Sequence, residues 1–303
     1  MKKISIVLLI IFTVLLVSGQ GCERTINGGN GVFIGGKEGV VAEFVEDAPS
    51  VTGNFQNEAF PIEIKLINKG ETEIGKNSVN VYLIGALYSS AALTSSKKEG
   101  NNDDFIAAIE ESIEDSAIIT MGDVKYTGTI FGENVPLDVS AAVCYPYETR
   151  VQINDFCIPS SVKRSIDEDE CSIDSAQNII SNGDNSGAPV QVSSLREDSG
   201  PNYIRVTLDI NNVGNGDVIN ACKRDIIRDE MNTVKVTMPT NFKCTFKEGE
   251  SNAGSVELRT GHAALRCRRD VTNSGNAYEE PVVITLSYNY RQEVSKSITI
   301  NKV

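Results

Sequence analysis

Short runs in which apolar and polar residues alternate recur along most of the chain, and a period of two predicts β-strands. Apolar residues occupy every second position from Phe60 to Leu66, and the stretch from Val282 to Tyr290 continues the pattern over a longer distance. Turns rich in Gly and Asn separate the runs. We therefore expect an all-β protein whose sheets have one face on a core and the other in water.

One segment has helical periodicity instead. Between Asp104 and Ser116 the residues Ile106, Ile109 and Ile113 fall on one helical face, which predicts a short helical insertion. The surrounding stretch from Glu99 to Asp115 is acidic and contains no Lys or Arg. A solvated helix face explains this charge better than a calcium site does, because the spacing of an EF-hand loop is missing.

A strand and turn near the start of the chain recur about 140 residues later. Phe60–Ile74 aligns with Tyr203–Ile219, and each segment ends its strand in an Asn-x-Gly turn, Asn68–Gly70 in the first and Asn212–Gly214 in the second. Asn and Gly tolerate the left-handed backbone that such a turn is expected to require. The repeat therefore indicates duplication of a whole β-domain.

The strand followed by Asn-x-Gly resembles the Ig-like modules of archaeal and bacterial cell-surface lipoproteins, such as CARDB-type and S-layer-associated domains. The resemblance covers two patches of about 15 residues and the rhythm of the strands. It implies two Ig-like β-sandwich domains in tandem, with the helical insertion in the first. For function the resemblance is only weakly specific.

The N-terminus predicts export. Two lysines precede the apolar run Ile4–Val17, which is shorter than the roughly 20 residues of a comfortable membrane span, so we expect a signal peptide. Cys22 follows this region as the lipidated cysteine does in lipoproteins, although Gly19 and Gln20 match the lipobox only in part. The alternatives are ordinary cleavage or an uncleaved signal anchor.

Composition changes along the chain predict its division. Gly and Asn dominate the segment after Cys22, and an acidic run followed by Gly, Asn and Ser begins after Ser160. The expected order is a signal peptide (1–21), a tether (22–38), a first domain (39–160), an acidic linker (161–187) and a second domain (188–303).

Cysteine number supports both lipidation and export. Setting Cys22 aside leaves six cysteines, which in an exported chain indicate three disulfides; they are Cys144, Cys157, Cys171, Cys222, Cys244 and Cys267. No Cys-x-x-Cys pair suggests a metal site. Proximity in sequence would pair Cys144 with Cys157, Cys171 with Cys222, and Cys244 with Cys267. The count alone leaves the connectivity open.

Net charge and residue usage limit the classes of function and partner that we expect. The net charge of −13 argues against a nucleic-acid partner, and the single histidine, His262, is expected in an exposed turn. We expect no catalytic residue, metal or cofactor. The sequence thus predicts a non-enzymatic lipoprotein on the outer face of the cell membrane, with an adhesive, envelope-structural or binding role and with surface proteins or glycans as partners. The alternatives are a glycan- or solute-binding lipoprotein and a filament subunit assembled by strand exchange.

Overall fold

The computed structural model is all-β, as the alternation predicts. It describes residues 31–85, 100, 115–160, 171–200, 202–225, 231–272 and 275–303. These residues contain no helix, so none of the elements described is a helix that could cross a membrane. The predicted signal peptide, Cys22 and nearly all of the predicted helix lie outside the described residues. Asp115 and Ser116, expected to end that helix, begin a strand.

The strands form three sheets. The first has the order β1-β3-β5, comprising Val40–Phe44, Ala59–Asn68 and Asp115–Lys125. The second, central sheet has the order β13-β10-β15-β6-β4, comprising Ala253–Glu257, Thr233–Thr237, Tyr278–Asn301, Asn134–Ile158 and Asn80–Ile84. Two short strands, β2 (Asn54–Phe55) and β9 (Asp217–Ile219), also pair with β15. The third sheet has the order β12-β11-β14-β8-β7, comprising Gly249–Ser251, Lys243–Phe246, His262–Asp270, Tyr203–Asn212 and Val190–Gly200.

Two unusually long strands run through the middle of the molecule. β6 has 25 residues and β15 has 24, and they pair antiparallel from Asn134 with Asn301 to Ile158 with Tyr278. At about 3.3 Å per residue this ribbon is about 80 Å long. Because β6 comes from the first predicted domain and β15 from the second, the ladder joins the two halves of the chain.

The topology repeats as the sequence does. The order β1-β3-β5 in the first sheet matches β7-β8-β14 in the third, and the pair β4-β6 matches β10-β15 in the central sheet. Each half therefore contributes one long strand to the ribbon, and the two long strands lie side by side at its centre. This arrangement resembles two copies of one unit that pair through their last strands.

Side chains near the middle of the ribbon tie both outer sheets to it. The Tyr145 hydroxyl on β6 donates to the carbonyl of Val40 on β1, at 3.0 Å. The Thr149 hydroxyl, also on β6, donates to the carbonyl of Val190 on β7, at 2.6 Å. The inward faces of all three sheets contribute to one continuous apolar core.

Segments predicted as tether and linker are partly built into this body. The N–H of Phe33, within the predicted tether, donates to the Gly183 carbonyl at 3.0 Å. Ser186, within the predicted linker, is 1% exposed and exchanges hydrogen bonds with the backbone of Arg150. The described parts of both segments therefore differ from the flexible connections expected from composition, because their Gly and Asn residues serve close backbone packing.

Candidate functional site

Four tyrosines form a cluster at the centre of the ribbon. On the ladder Tyr145 lies opposite Tyr290 and Tyr147 lies opposite Tyr288, with ring centroids 6.0 and 6.2 Å apart. All four are buried, and burial raises the pKa of each phenol. Rings so enclosed serve packing and present no surface on which a sugar could stack.

The Asn-x-Gly turns have the same hydrogen bonds in both halves. The Asn68 side chain accepts from the Gly70 N–H at 3.3 Å and donates to the Thr72 carbonyl at 2.9 Å. The Asn212 side chain accepts from the Gly214 N–H at 3.2 Å and donates to the carbonyl two residues further on at 2.7 Å. This agreement supports the duplication inferred from sequence.

The glycines of these turns are required by space rather than by backbone angle. Gly70 and Gly214 are not among the residues with positive φ, so the expected left-handed turn is wrong. A Cβ on Gly70 would overlap the Tyr147 hydroxyl, and one on Gly214 would overlap the Tyr290 hydroxyl. Each turn therefore lies directly on a tyrosine of the central cluster.

Two open grooves flank the cluster and are related by the repeat. One, of about 610 Å³, lies beside the first turn and is lined by Tyr147 and Tyr288. The other, of about 540 Å³, lies beside the second turn and is lined by Tyr145 and Tyr290. The four rings remain buried there, since none is more than 6% exposed.

Glu71 fastens the N-terminal segment to the junction, the region around the tyrosine cluster where the two halves meet. Its carboxylate accepts from the N–H groups of Ile34 at 3.0 Å, Gly35 at 2.9 Å and Gly187 at 2.6 Å. Three backbone donors from two distant segments thus converge on one side chain. The segment 31–38 is consequently held on its own body, which disfavours its use as a donor strand for a neighbour.

A larger cleft of about 1140 Å³ opens between β13 and β14. Phe246, Val256 and Leu265 form its apolar floor, and His262 and Arg259 lie at its rim. His262 is exposed at the start of β14, next to the turn at Gly261, as expected from its sequence. Its Nε2 lies 3.5 Å from Asp209 Oδ1.

Glu197 is an acid in a core position. It continues the inward row of β7 and is 4% exposed, and its Oε1 has no hydrogen-bond partner. Burial raises the pKa of this carboxyl to about 7; the Cys157 N–H donates to it and lowers the pKa, while the charge of Glu279 raises it. Burial therefore favours the neutral form of this carboxyl.

The six cysteines form three disulfides. Cys244 pairs with Cys267, as proximity predicts, because β11 and β14 place them directly opposite each other. The other two proximity pairings are wrong, since Cys144 pairs with Cys222 and Cys157 pairs with Cys171. The Cys144–Cys222 bond ties the chain after β9 to the ribbon. The Cys157–Cys171 bond ties the predicted linker to the end of β6.

Sequence reasoning missed Glu71 and Glu197. Glu71 stands in an ordinary polar turn, and no local pattern indicates that its partners are far away in sequence. Glu197 does carry a signal, because it interrupts the apolar positions of an alternating strand. No group of three or more His, Cys, Asp or Glu side chains among the described residues could hold a metal ion.

Comparison with known proteins assigns no family. No family model matches the chain, and no curated protein matches it. Among solved structures, the chain has a weak likeness to the C-terminal globular domain of an oligosaccharyltransferase from Pyrococcus abyssi, with 6% identity and a TM-score of 0.23. The match covers 86% of this chain and spans about half of that structure, at 48%.

Proposed function

We propose that this protein is a non-enzymatic, exported cell-surface protein, anchored by lipid on Cys22 and built from two Ig-like β-sandwich modules. Its role would be to hold or present surfaces within the cell envelope. The observation that carries this proposal is the β6–β15 ribbon, which runs through both halves and is tied to both outer sheets by side-chain hydrogen bonds. A paired ribbon of about 80 Å suits a stiff structural element.

The pairing of cysteines supports export. All six cysteines after Cys22 are used in disulfides, and such bonds persist in oxidising compartments outside the cytosol. Each could stabilise the fold by about 3 kcal/mol. Cys22 is the one remaining cysteine of the seven in the chain, which leaves its thiol for lipidation.

The way polar groups are used at the junction supports a structural role. The hydroxyls of Tyr145, Tyr147 and Thr149 all donate to backbone carbonyls of neighbouring segments. Buried polar groups need such partners, and here the partners belong to the fold itself. These groups are therefore engaged in joining the two halves.

A second candidate function is recognition of glycans on the cell surface. It is favoured by the exposed outer face of the third sheet, where Lys243, Arg268 and Arg205 lie opposite one another on three neighbouring strands. This role is compatible with the first, since an anchored envelope protein can also bind an envelope polymer.

Cell fractionation tests the proposal. We expect the full chain to appear in the membrane fraction, and Cys22→Ser to leave an unprocessed precursor or release the protein, because lipid attachment needs the thiol. Glu23→Gln is the matched control, since it changes the adjacent residue and keeps the thiol. A Cys22→Ser protein that is fully processed and still membrane-bound would exclude lipid at this position, and protein found only in the cytosol would refute export.

A further inference from the structure

The outward face of the third sheet has a row of cations that crosses three strands. Lys243 on β11 lies opposite Arg268 on β14, which in turn lies opposite Arg205 on β8. With neighbouring strands about 4.8 Å apart, this row is about 10 Å long. Arg266 and Arg196 follow on the next row, on either side of Thr207. All five cations are exposed.

Ion pairs satisfy only part of this charge. Arg196 pairs with Asp209 at 2.8 Å, Arg205 with Asp198 at 3.1 Å, and Arg268 with Asp270 at 2.9 Å. Glu250 is a further acid, at the far edge on β12. Within the described part of the chain, Lys243 and Arg266 have no ion-pair partner. The face thus has a small excess of positive charge in a chain whose net charge is −13.

An aromatic ring holds two of the guanidinium groups in place. The guanidinium carbon of Arg268 lies 4.3 Å from the centroid of the Tyr203 ring, and that of Arg205 lies 5.6 Å from it. Contacts of this kind orient a guanidinium without consuming its N–H donors. The remaining donors are therefore available to an anion that arrives from solvent.

Placing these cations side by side carries an electrostatic cost. Like charges directly opposite each other on neighbouring strands are destabilising. The row Lys243, Arg268 and Arg205 contains two such contacts in succession. A destabilising arrangement on an exposed face is expected where binding has required it.

The internal repeat provides a comparison within one chain. Aligning Asn68 with Asn212 and following the ladders places Pro61 at the position of Arg205. The same alignment places Asp123 at the position of Arg268 and Thr120 at the position of Arg266. The first half forms the same three strands with no cation at these positions, so the architecture does not require them.

We propose that this face, between β11 and β8, binds an acidic polysaccharide. Aligned cations suit a chain of carboxylates, and hydroxyl side chains between them, from Thr207 and Thr245, suit a ligand rich in hydroxyl groups. A lipid surface fits less well, because none of the large apolar side chains exposed in the described structure lies on this face. The inference rests on the proposed export, which brings the protein to such polymers.

Binding of polygalacturonate to the full-length protein in detergent micelles tests this inference. We expect binding that weakens as salt is raised and no binding of neutral dextran. Lys243→Gln combined with Arg266→Gln should weaken binding about tenfold, because it removes the two cations that lack ion pairs. Lys125→Gln combined with Lys235→Gln is the matched control; it makes the same charge change elsewhere on the surface and should alter binding less than about twofold.

Three results would overturn the inference. They are no binding of polygalacturonate, an equal loss in both double variants, and tighter binding to phosphatidylglycerol nanodiscs than to polygalacturonate. The equal loss would mean that overall charge governs binding, and the nanodisc result would assign the face to anionic lipid. Because these measurements use purified protein, they do not depend on where the protein is located. A protein that is exported but fails to bind refutes the inference alone, whereas one that binds but is cytosolic refutes the proposed function.

Discussion

Replacing Glu197 by Gln should change how the stability of this protein depends on pH. Glu197 is 4% exposed on the inward side of β7, and its Oε1 has no hydrogen-bond partner. Burial raises the pKa of the carboxyl from 4.5 to about 7 in the folded protein. The neutral acid is therefore the form that the fold favours.

The sign of the effect follows from linkage. Because the folded pKa lies above the unfolded one, the stability associated with the neutral carboxyl is fully present below pH 4.5 and is lost as the pH rises through about 7. At 1.36 kcal/mol for each tenfold change in proton affinity, the loss is about 3 kcal/mol. Gln imitates the neutral acid in shape and charge. We expect Glu197→Gln to match the native protein near pH 4.5 and to be about 3 kcal/mol more stable near pH 8.

Urea unfolding followed by circular dichroism, at several pH values between 4.5 and 8.5, measures this difference directly. Glu73→Gln, which neutralises an exposed acid, is the control and should shift stability by less than about 0.5 kcal/mol at every pH. A difference between Glu197→Gln and the native protein that stays constant across this range would refute the reasoning, since only titration of Glu197 makes it vary.

Other predictions concern the junction and the connection between halves. Glu71→Gln should reduce the free energy of unfolding by about 2–3 kcal/mol and speed amide exchange in residues 31–36, since the new amide cannot accept all three N–H bonds; unchanged exchange there would contradict it. Gly214→Ala should cost about 1–3 kcal/mol in urea unfolding, because its Cβ would overlap the Tyr290 hydroxyl, whereas Gly132→Ala should be nearly neutral, because its Cβ would meet only the Asn134 carbonyl oxygen at 3.8 Å, an ordinary contact. Cleavage at a protease site inserted within residues 161–170, followed by reduction without denaturant, should leave two fragments that co-elute in gel filtration, because the β6–β15 ladder joins them; separate elution would show that each half folds alone.

Some of this architecture is determined by local sequence. The alternation from Phe60 to Leu66 and from Val282 to Tyr290 produces strands with one buried face, because successive strand side chains point to opposite sides. The two Asn-x-Gly turns close in the same way because each Asn side chain reaches backbone groups only two to four residues ahead. Interactions over so short a distance leave a pattern that a sequence reveals.

Tertiary structure decided the rest. Segments far apart in sequence meet in the β6–β15 ladder, in the Cys144–Cys222 bond and at the carboxylate of Glu71. The Cys157–Cys171 bond spans only 14 residues, but the sequence did not reveal this pairing either. Backbone hydrogen bonds between strands are made by groups that every residue carries, so an alternating strand does not specify its partner. The cations on β8, β11 and β14 are scattered in sequence, and only the register of the sheet brings them into one row.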